Sequence, residues 1–553
     1  MKKVIFSLTS IILLASCRKE STPSVGHPPS LNLLSQSING VSDANLVYYN
    51  VSNSPAIRVS FSGGAIDKSS VATAVLLKDA NGNDLLLSIS EPNDSTLSIQ
   101  PTKALSPISS YTLELDTTLR SVTKGTLYNI VNISIVTAID SADKFPRIPD
   151  SALLTLVQQQ TFAYFWDFGH PVSGMARERN SSGDVVTTGG SGFGIMSILV
   201  GVQRSFITRA QGLSRINQIV LFLTNNAKRY HGAFPHWMDG ATGATVPFSS
   251  QDDGADLVET AYMMQGLLCA RQYFNSAADS GEINLRIGIN NLWNGVDWNW
   301  FRQNGQNTLY WHWSPDFAWE SNQQINGWDE AMITYVLAAS ANSDSIPKIV
   351  YDNGWALNGS IRNGKNFYGI TLPLGPDYGG PLFFAHYSFL GLNPVGLSDA
   401  YAEYWIQDTA QSRINYDYCV ANPGRFNGYS SLCWGLTASD EQHGYLAHSP
   451  STDDGVISPT AAISSLPYTP TESMNALRFF YYTLGDKLWG PYGFYDAFNL
   501  TNVWFANSSL AIDQGPQIIM IENYRTGLLW TLFMSCPEVQ RGLTQLGFTS
   551  PNI

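Results

Sequence analysis

Positive charge is scarce in this sequence. Its 553 residues include 31 lysines and arginines against 44 aspartates and glutamates, which gives a formal net charge of −13. Charged residues of all kinds make up only 14% of the chain, and no basic tract is dense enough to offset the phosphates of a nucleic acid. The composition therefore excludes nucleic acid as a partner.

Cysteine is also sparse, with five residues, at positions 17, 269, 419, 433 and 536. They form no CxxC pair and no cluster with histidine, so the sequence predicts no metal site and no cofactor. Cys419 and Cys433 could form a disulfide in an oxidising compartment. Cys269 has the position of a core residue on a helix face.

Long hydrophobic runs are missing except near the first residues. Residues 4–14 follow Lys2 and Lys3, are mostly apolar and are too short to span a bilayer, which is the form of a signal peptide. The run ends in Leu-Ala-Ser-Cys at 14–17, which is similar to a bacterial lipobox. An ordinary secretory signal with a chance cysteine is the alternative.

The lipobox predicts a signal peptide at 1–16 and a diacylated Cys17. Acyl chains on this residue would hold the protein on a membrane without a transmembrane helix. We therefore expect an outer membrane lipoprotein that faces the periplasm or the cell surface, and we expect it to be a monomer.

Aromatic residues are abundant although charged residues are scarce: the chain has 15 tryptophans and 26 tyrosines. Such side chains combine a flat apolar face with a polar tip. Stacking on sugar rings is one use for them, although most are expected in the core.

The pattern of residue types along the chain changes twice. Residues 17–30 are polar and contain proline, as expected of a tether. From residue 31 to about residue 140, short apolar runs are separated by turns, and residues 56–61 alternate apolar and polar side chains as a half-buried strand does. This pattern predicts a small all-β sandwich, and residues 106–112 resemble bacterial Ig-like domains. The region contains no cluster of acids, so we expect it to act as a spacer.

From residue 148 to residue 553 the pattern is helical. Loops rich in glycine, proline and tryptophan separate the helices and are too long for a simple bundle. The predicted helices are 153–165, 193–206, 213–230, 256–274, 285–301, 329–341, 399–420, 472–484 and 517–534. The expected fold is mainly α, an (α/α)6 toroid in which one end of the inner helices carries the loops and the cleft.

Three acids form the first candidate site. Asp252, Asp256 and Glu259 are spaced by four and three residues, so they share one face if the segment is helical. Helix capping and favourable placement at the positive end of the helix would explain one such acid. Three acids beneath a loop that carries His236 and Trp237 favour a functional site. The spacing differs from that of an EF-hand loop, so calcium is the weaker use.

Glu330 is the second candidate. It follows an aromatic loop that contains Trp311 and Trp313 and stands just before an apolar helix start. Burial among aromatic side chains would raise the pKa of this carboxyl, as a general acid requires. The alternative is an acid in the first turn of the helix, placed there for the helix dipole.

Asp513 is the third candidate, at a loop-to-helix transition marked by Pro516. Two further polar-aromatic loops, 440–445 and 492–499, are suited to binding sugar hydroxyls. They contribute Tyr445 and Tyr495 as candidate substrate-binding residues.

These segments resemble the glucoamylase-like domain of Bacteroidetes lipoproteins, which belongs to glycoside hydrolase family 144, the β-1,2-glucanases. The resemblance covers residues 148–548. Its motifs are DDGADLVET at 252–260, INGWDE at 325–330, GGPLFFAHYS at 379–388, ISPTA at 457–461 and LAIDQGP at 510–516.

The resemblance implies an (α/α)6 toroid that hydrolyses β-1,2-glucan or sophorooligosaccharides with inversion. By position, the acids that match the family's cleft are Asp252, Asp256, Glu259, Glu330 and Asp513. Glycoside hydrolysis needs a carboxylic acid for the leaving oxygen and a carboxylate for the water. We expect Glu330 to be the general acid, with Asp513 or a member of the first set activating water. Stacking on the sugar is expected from Trp237, Trp311, Trp313 and Tyr445.

Two other functions stay open at this point. One is transglycosylation on β-1,2-glucan, because related domains occur in cyclic β-glucan synthases. The other is a non-catalytic lipoprotein that binds glucan for import. Binding alone would not need five acids.

Overall fold

The computed structural model describes residues 28–553. The predicted signal peptide, Cys17 and most of the predicted tether lie outside the described residues. The chain divides into two compact units, with the boundary between Ala138 and Ile139. Within residues 28–553, no helix reaches the combination of length and hydropathy that a membrane span requires.

The first unit consists of two β-sheets. Its strands are β1 (Asn32–Ile38), β2 (Val47–Val51), β3 (Ile57–Ser62), β4 (Val75–Asp79), β5 (Asp84–Leu85), β6 (Leu87–Asn93), β7 (Thr96–Pro101), β8 (Ser110–Leu115) and β9 (Val131–Thr137). A four-stranded sheet has the order β1-β3-β7-β6, and a five-stranded sheet has the order β2-β9-β8-β4-β5. The β2–β9 pair is parallel, and the other neighbouring strands are antiparallel.

Alternation along the strands builds the core of this unit. In β3 the side chains of Ile57, Val59 and Phe61 are buried, whereas Arg58 between them is exposed. This period of two confirms the all-β expectation for the region. A short helix, α1 (Lys68–Ala74), was not predicted, and it starts where the Asp67 carboxylate accepts a hydrogen bond from the backbone N–H of Ser69.

The second unit is rich in helices, with short two- and three-stranded ladders in its loops. Its helices are α2 (Asp150–Trp166), α3 (Thr188–Gln203), α4 (Arg209–Asn225), α5 (Leu257–Tyr273), α6 (Ser280–Asn294), α7 (Met332–Ser340), α8 (Lys348–Val350), α9 (Tyr404–Ala421), α10 (Pro459–Ser464), α11 (Pro470–Arg478), α12 (Gly485–Leu488), α13 (Ala511–Thr526), α14 (Leu528–Met534) and α15 (Pro537–Leu546). Its strands are β10 (Val185–Thr187), β11 (Trp237–Asp239), β12 (Thr245–Val246), β13 (Ala255–Asp256), β14 (Leu309–Tyr310), β15 (His312–Trp313), β16 (Gln324–Ile325), β17 (Asn366–Phe367), β18 (Ile370–Thr371), β19 (Ala438–Glu441), β20 (Gly444–Ala447), β21 (Trp489–Gly490), β22 (Gly493–Phe494), β23 (Phe498–Asn499) and β24 (Trp504–Phe505).

Helix α3 packs against α5 and α13 at the centre of this unit. A Cβ atom at Gly192 would lie 2.2 Å from the carbonyl oxygen of Tyr262, and one at Gly266 would lie 2.1 Å from the carbonyl oxygen of Gly192. Side chains at either position would push the helices apart. These glycines therefore let α3 and α5 approach to backbone contact, and they bring the starts of both helices together.

The ends of most predicted helices differ from the observed ones by a few residues, and two predicted helices run through breaks in the observed structure. The helix predicted at 285–301 ends at Asn294, and Asp297 then caps a separate 3-10 turn. The helix predicted at 517–534 begins earlier, at Ala511, and is interrupted by Gly527 with a φ of 67°. Glycine adopts this left-handed conformation easily at a helix C-terminus, so α13 ends there and α14 begins.

The cysteines at 269, 419, 433 and 536 are buried free thiols. The disulfide considered for Cys419 and Cys433 is therefore not formed, which corrects that expectation. Burial raises the pKa of both thiols, so each stays protonated and behaves as a small core residue.

Candidate active site

A cavity of about 480 Å³ lies in the second unit, within the range of roughly 300–1,000 Å³ that is usual for small-ligand sites. The first residues of α3, α5 and α13 border it. Its charged and titratable lining side chains include Glu178, Arg179, His236, Glu259 and Glu330. The N-terminal ends of several helices thus place polar side chains at the same cavity.

Glu259 lies in the first turn of α5 and lines the cavity. Its Oε2 accepts hydrogen bonds from the backbone N–H of Gly189 at 2.6 Å and from Thr187 Oγ1 at 3.3 Å. Burial, assisted by the neighbouring Asp256 charge, raises the pKa of Glu259 to about 7. The side chain can therefore exchange a proton near neutral pH.

Asp256 and Asp252 stand behind Glu259, next to His236. Asp256 caps α5, because its Oδ1 accepts from the backbone N–H groups of Val258 and Glu259, so the capping role considered for this acid is real. Its Oδ2 lies 3.0 Å from Nδ1 of His236, and Asp252 Oδ2 lies 3.4 Å from the same nitrogen.

The two histidines set the charge of Asp252. Burial opposes its ionisation, but the adjacent His236 and His312 lower the pKa of Asp252 to about 2. The pKa of His236 is raised well above its ordinary value, because the nearby carboxylates outweigh its burial. Asp252, Asp256 and Glu259 are thus brought together as expected, although Glu259 alone of the three lines the cavity.

Glu330 lines the cavity from the loop before α7. Its backbone is fixed, since its carbonyl oxygen accepts hydrogen bonds from Tyr262 Oη at 3.2 Å and Ser388 Oγ at 2.6 Å. Burial raises the pKa of Glu330 to about 7. Helix α7 begins at Met332 with Ala331 as its N-cap, so Glu330 lies just before the first turn of the helix and not within it.

Asp513 lies in the first turn of α13 and is buried behind the cavity wall. Its neighbours Leu510 and Ile512 line the cavity, whereas Asp513 faces a small internal void together with Tyr495 and Asp496. Burial and the adjacent Asp496 raise the pKa of Asp513 well above its ordinary value. The two carboxyl groups therefore share a site that disfavours a double negative charge.

The hydrogen-bond network around Asp513 and Asp496 was not predicted from the sequence. Arg179 Nη1 donates to both carboxylate oxygens of Asp440, at 3.1 and 3.2 Å. The backbone N–H of Asp440 donates to Asp496 Oδ2 at 2.7 Å, and the pKa of Asp496 is raised to about 7 by burial and by the Asp440 charge. Only the polar-aromatic composition of loops 440–445 and 492–499 pointed to these residues.

Aromatic side chains form much of the remaining wall. Of the predicted binding residues, His236, Trp237, Trp311 and Tyr445 line the cavity. Phe248 lines it as well and stacks on His236 with ring centroids 4.2 Å apart. Tyr262, Phe383 and Tyr387 are further lining residues that the sequence did not single out.

Two predicted binding residues require correction. Trp313 does not line the cavity, and it packs against Tyr230, His231 and Trp300. Tyr495 borders the void beside Asp513 rather than the main cavity. Aromatic density in a loop does not distinguish a core ring from one that faces a ligand, which is why both were included.

A helix-rich unit that presents carboxyl groups in an aromatic-walled cavity has the site of a glycoside hydrolase. Comparison with known proteins agrees with this class. Residues 322–537 match the family model "Putative glucoamylase", and residues 41–134 match the model "Bacterial Ig-like domain".

Three relatives illustrate the similarity. An exo β-1,2-glucooligosaccharide sophorohydrolase of Parabacteroides distasonis is 46% identical over 428 residues, which cover 73% of this chain and 59% of that protein. A "putative glucoamylase" structure from Bacteroides uniformis is 56% identical, with a TM-score of 0.73, and covers 74% of this chain and 100% of its own. An endo-β-1,2-glucanase from Chitinophaga pinensis, solved with sophorotriose and glucose, is 50% identical, with a TM-score of 0.72 and the same coverage.

The chain therefore belongs to the glucoamylase-like family of glycoside hydrolases, family 144. The matched stretch spans less than two thirds of the Parabacteroides protein. The family assignment rests on the shared helix-rich unit.

Proposed function

We propose that the protein hydrolyses β-1,2-glucan or sophorooligosaccharides with inversion of configuration. The observation that carries the proposal is Glu330, a carboxyl group that lines the cavity and has its pKa raised to about 7. The similarity to the Chitinophaga endo-β-1,2-glucanase and the Parabacteroides sophorohydrolase supports the β-1,2 linkage.

Glu330 is the general acid in this proposal. Near neutral pH its raised pKa leaves much of the group protonated, so it can deliver a proton to the glycosidic oxygen as the bond breaks. Its fixed backbone, held by Tyr262 and Ser388, keeps the carboxyl in one position. Trp237, Trp311 and Tyr445 provide ring faces for the sugar.

Two carboxyl groups are candidates for activating the water, and they differ in their access to the cavity. Glu259 lines the cavity and can contact a water molecule directly. Asp513 stands behind the wall, so it acts through an intermediate group such as a substrate hydroxyl. Asp252 and Asp256 support this arrangement through His236 and the start of α5.

The helix-rich unit is proposed to be an (α/α)6 toroid, with α3, α5 and α13 among its inner helices. This is supported by the packing of α3 against both α5 and α13 and by the position of their N-terminal ends at the cavity. The Ig-like unit is assigned a spacer role because the candidate site is built from residues of the second unit.

We further propose that the protein is a monomer anchored to the outer membrane through Cys17, facing the periplasm or the cell surface. The proposal rests on the lipobox-like sequence at 14–17.

Product analysis tests the enzymatic proposal and its two rivals. The protein is incubated with β-1,2-, β-1,3- and α-1,4-glucans, and reducing ends, oligosaccharide lengths and the first-formed anomer are followed by chromatography and proton NMR. Hydrolysis with inversion releases α-configured reducing ends from the β-1,2-glucan. Constant reducing ends with new chain lengths would indicate a transglycosylase, and binding without turnover would indicate a carrier.

A further inference from the structure

Two histidines and two aspartates meet beside the cavity, and the proposed hydrolysis gives no role to His312. Antiparallel pairing of β13 with β15 places Asp256 opposite His312. His312 Nδ1 lies 3.4 Å from Asp252 Oδ1 and 3.7 Å from Asp256 Oδ2. His236 Nδ1 lies 3.4 Å from Asp252 Oδ2 and 3.0 Å from Asp256 Oδ2.

Ordinary hydrogen bonding does not satisfy this cluster. Asp252 Oδ1 and His312 Nδ1 are buried and lie 3.4 Å apart, but their geometry does not make a hydrogen bond, so neither atom has a partner. The Asp252 side chain is only 6% exposed, so solvent does not replace the partner. Nδ1 of His236 faces two carboxylates but carries at most one proton. Buried polar atoms of this kind are costly unless something binds them.

We propose that the cluster binds a divalent transition-metal ion, with Zn²⁺ as the preferred occupant. Its ligands would be His236 Nδ1, a carboxylate oxygen of Asp252 and Asp256 Oδ2, with His312 Nδ1 completing the set. Ligand atoms of the first three residues lie within 4.8 Å of one another. Neighbouring donors in a tetrahedral site with bonds of roughly 2.0–2.1 Å are about 3.3 Å apart, close to the spacings that the structure shows.

The types of ligand atom indicate which metal ion would bind. Imidazole nitrogen combined with carboxylate oxygen suits Zn²⁺ and similar transition metals, whereas Ca²⁺ and Mg²⁺ prefer sites made of oxygen alone. The cation would also balance the charge of two buried carboxylates. Sequence analysis predicted no metal site because His236, His312 and the aspartates come from three separate segments and share no short spacing.

The ion would order one wall of the cavity. It joins the segment that carries His236 to the start of α5 and to β15, and His236 also stacks on Phe248. Coordination through Nδ1 leaves the His236 proton on Nε2, which lies 4.0 Å from Oε1 of Glu259. This separation is too long for a hydrogen bond, so Glu259 influences His236 through its charge. Metal binding does not depend on glucan hydrolysis, so either proposal can fail without the other.

Direct metal binding tests the proposal. The full chain, carrying no histidine tag, is stripped with EDTA, offered Zn²⁺, Mn²⁺ or Ca²⁺ separately, freed of excess ion and assayed by elemental mass spectrometry. We expect about one Zn²⁺ per chain and a higher melting temperature in zinc than in EDTA. Absence of bound Zn²⁺, or uptake of Ca²⁺ in preference to it, would overturn the proposal.

Variants locate the ion. Asp252→Asn and His312→Asn should each weaken zinc binding at least about tenfold, whereas His443→Asn, which changes an exposed histidine, should bind as the parent does. Circular dichroism checks that each variant is folded. Visible absorption of the Co²⁺-loaded parent reports its coordination directly, so the proposal stays testable if a variant does not fold. Equal zinc affinity in a folded His236→Asn/His312→Asn double variant would place the ion elsewhere.

Discussion

The backbone N–H of Gly189 donates a 2.6 Å hydrogen bond to Oε2 of Glu259, and the two residues lie so close that glycine is required. A Cβ atom at position 189 would be 2.8 Å from that oxygen. Gly189 opens α3 and Glu259 opens α5, so the contact couples the packing of two helices to the position of a cavity carboxylate.

Gly189→Ala should displace Glu259 and lower kcat/KM by roughly tenfold to a hundredfold, because a small displacement of a reacting group strongly lowers the rate. Gly281→Ala is the matched control, since it changes a glycine in the first turn of α6, away from the cavity. Circular dichroism and glucan hydrolysis by both variants provide the measurement. Parental activity in Gly189→Ala would show that Glu259 needs no such positioning.

The pH profile should reflect the raised pKa of Glu330. A general acid works in its protonated form, so kcat/KM on β-1,2-glucan should fall as the pH rises above about 7. The Glu330→Gln variant has no proton to lose at this position and should lack that alkaline limb. Activity of the parent that stays constant up to strongly alkaline pH would contradict the assignment.

Stability should also depend on pH through Asp496. Its pKa is raised from 3.8 to about 7 on folding, so between these values the folded state retains a proton that the unfolded state has lost. Stability therefore decreases as the pH rises through this window. Denaturant unfolding at pH 5 and pH 8 should show a smaller decrease for Asp496→Asn than for the parent or for Asp316→Asn, which changes an exposed acid. An unchanged pH dependence in Asp496→Asn would assign the effect to other groups.

The sequence predicted features that depend on neighbouring residues and missed those that depend on distant ones. The alternation of Ile57, Val59 and Phe61 is local, and it correctly indicated a strand. Asp252, Asp256 and Glu259 do lie together, but α5 begins at Leu257, so they do not share the helical face that their spacing predicted. The groups around Asp513 come from separate loops, and Arg179 and Asp440 lie far away in the chain, so no short spacing could reveal them.

The predictions that were wrong also depend on tertiary contacts that the local sequence does not show. Trp313 was expected at the cavity because its loop is aromatic, but its ring packs against Trp300 and His231 in a partly exposed cluster. Composition reports how many rings are available and not which way each one faces. The glycine at 527 was visible in the sequence, but only its left-handed backbone conformation in the structure shows that the helix ends there.

Cys17→Ser should release the protein from the membrane and leave its activity intact. Position 17 comes well before the first strand in the sequence, and the cavity is lined by residues of the second unit, so we expect the cavity not to depend on it. Fractionation of cells followed by a hydrolysis assay measures both properties. Complete retention of the serine variant with the membranes would refute the lipoprotein assignment.

The central claim, that Glu330 supplies the proton for cleavage, is tested by the rate of Glu330→Gln on two substrates. Glutamine keeps the shape of the side chain but cannot donate the proton, so turnover of β-1,2-glucan should fall by at least about a hundredfold. A substrate with an activated leaving group needs little protonation, and the variant should recover much of its rate on it. Glu320→Gln, a change in an exposed acid of the same loop, should behave as the parent on both. Near-parental turnover of the natural glucan by Glu330→Gln would contradict the account.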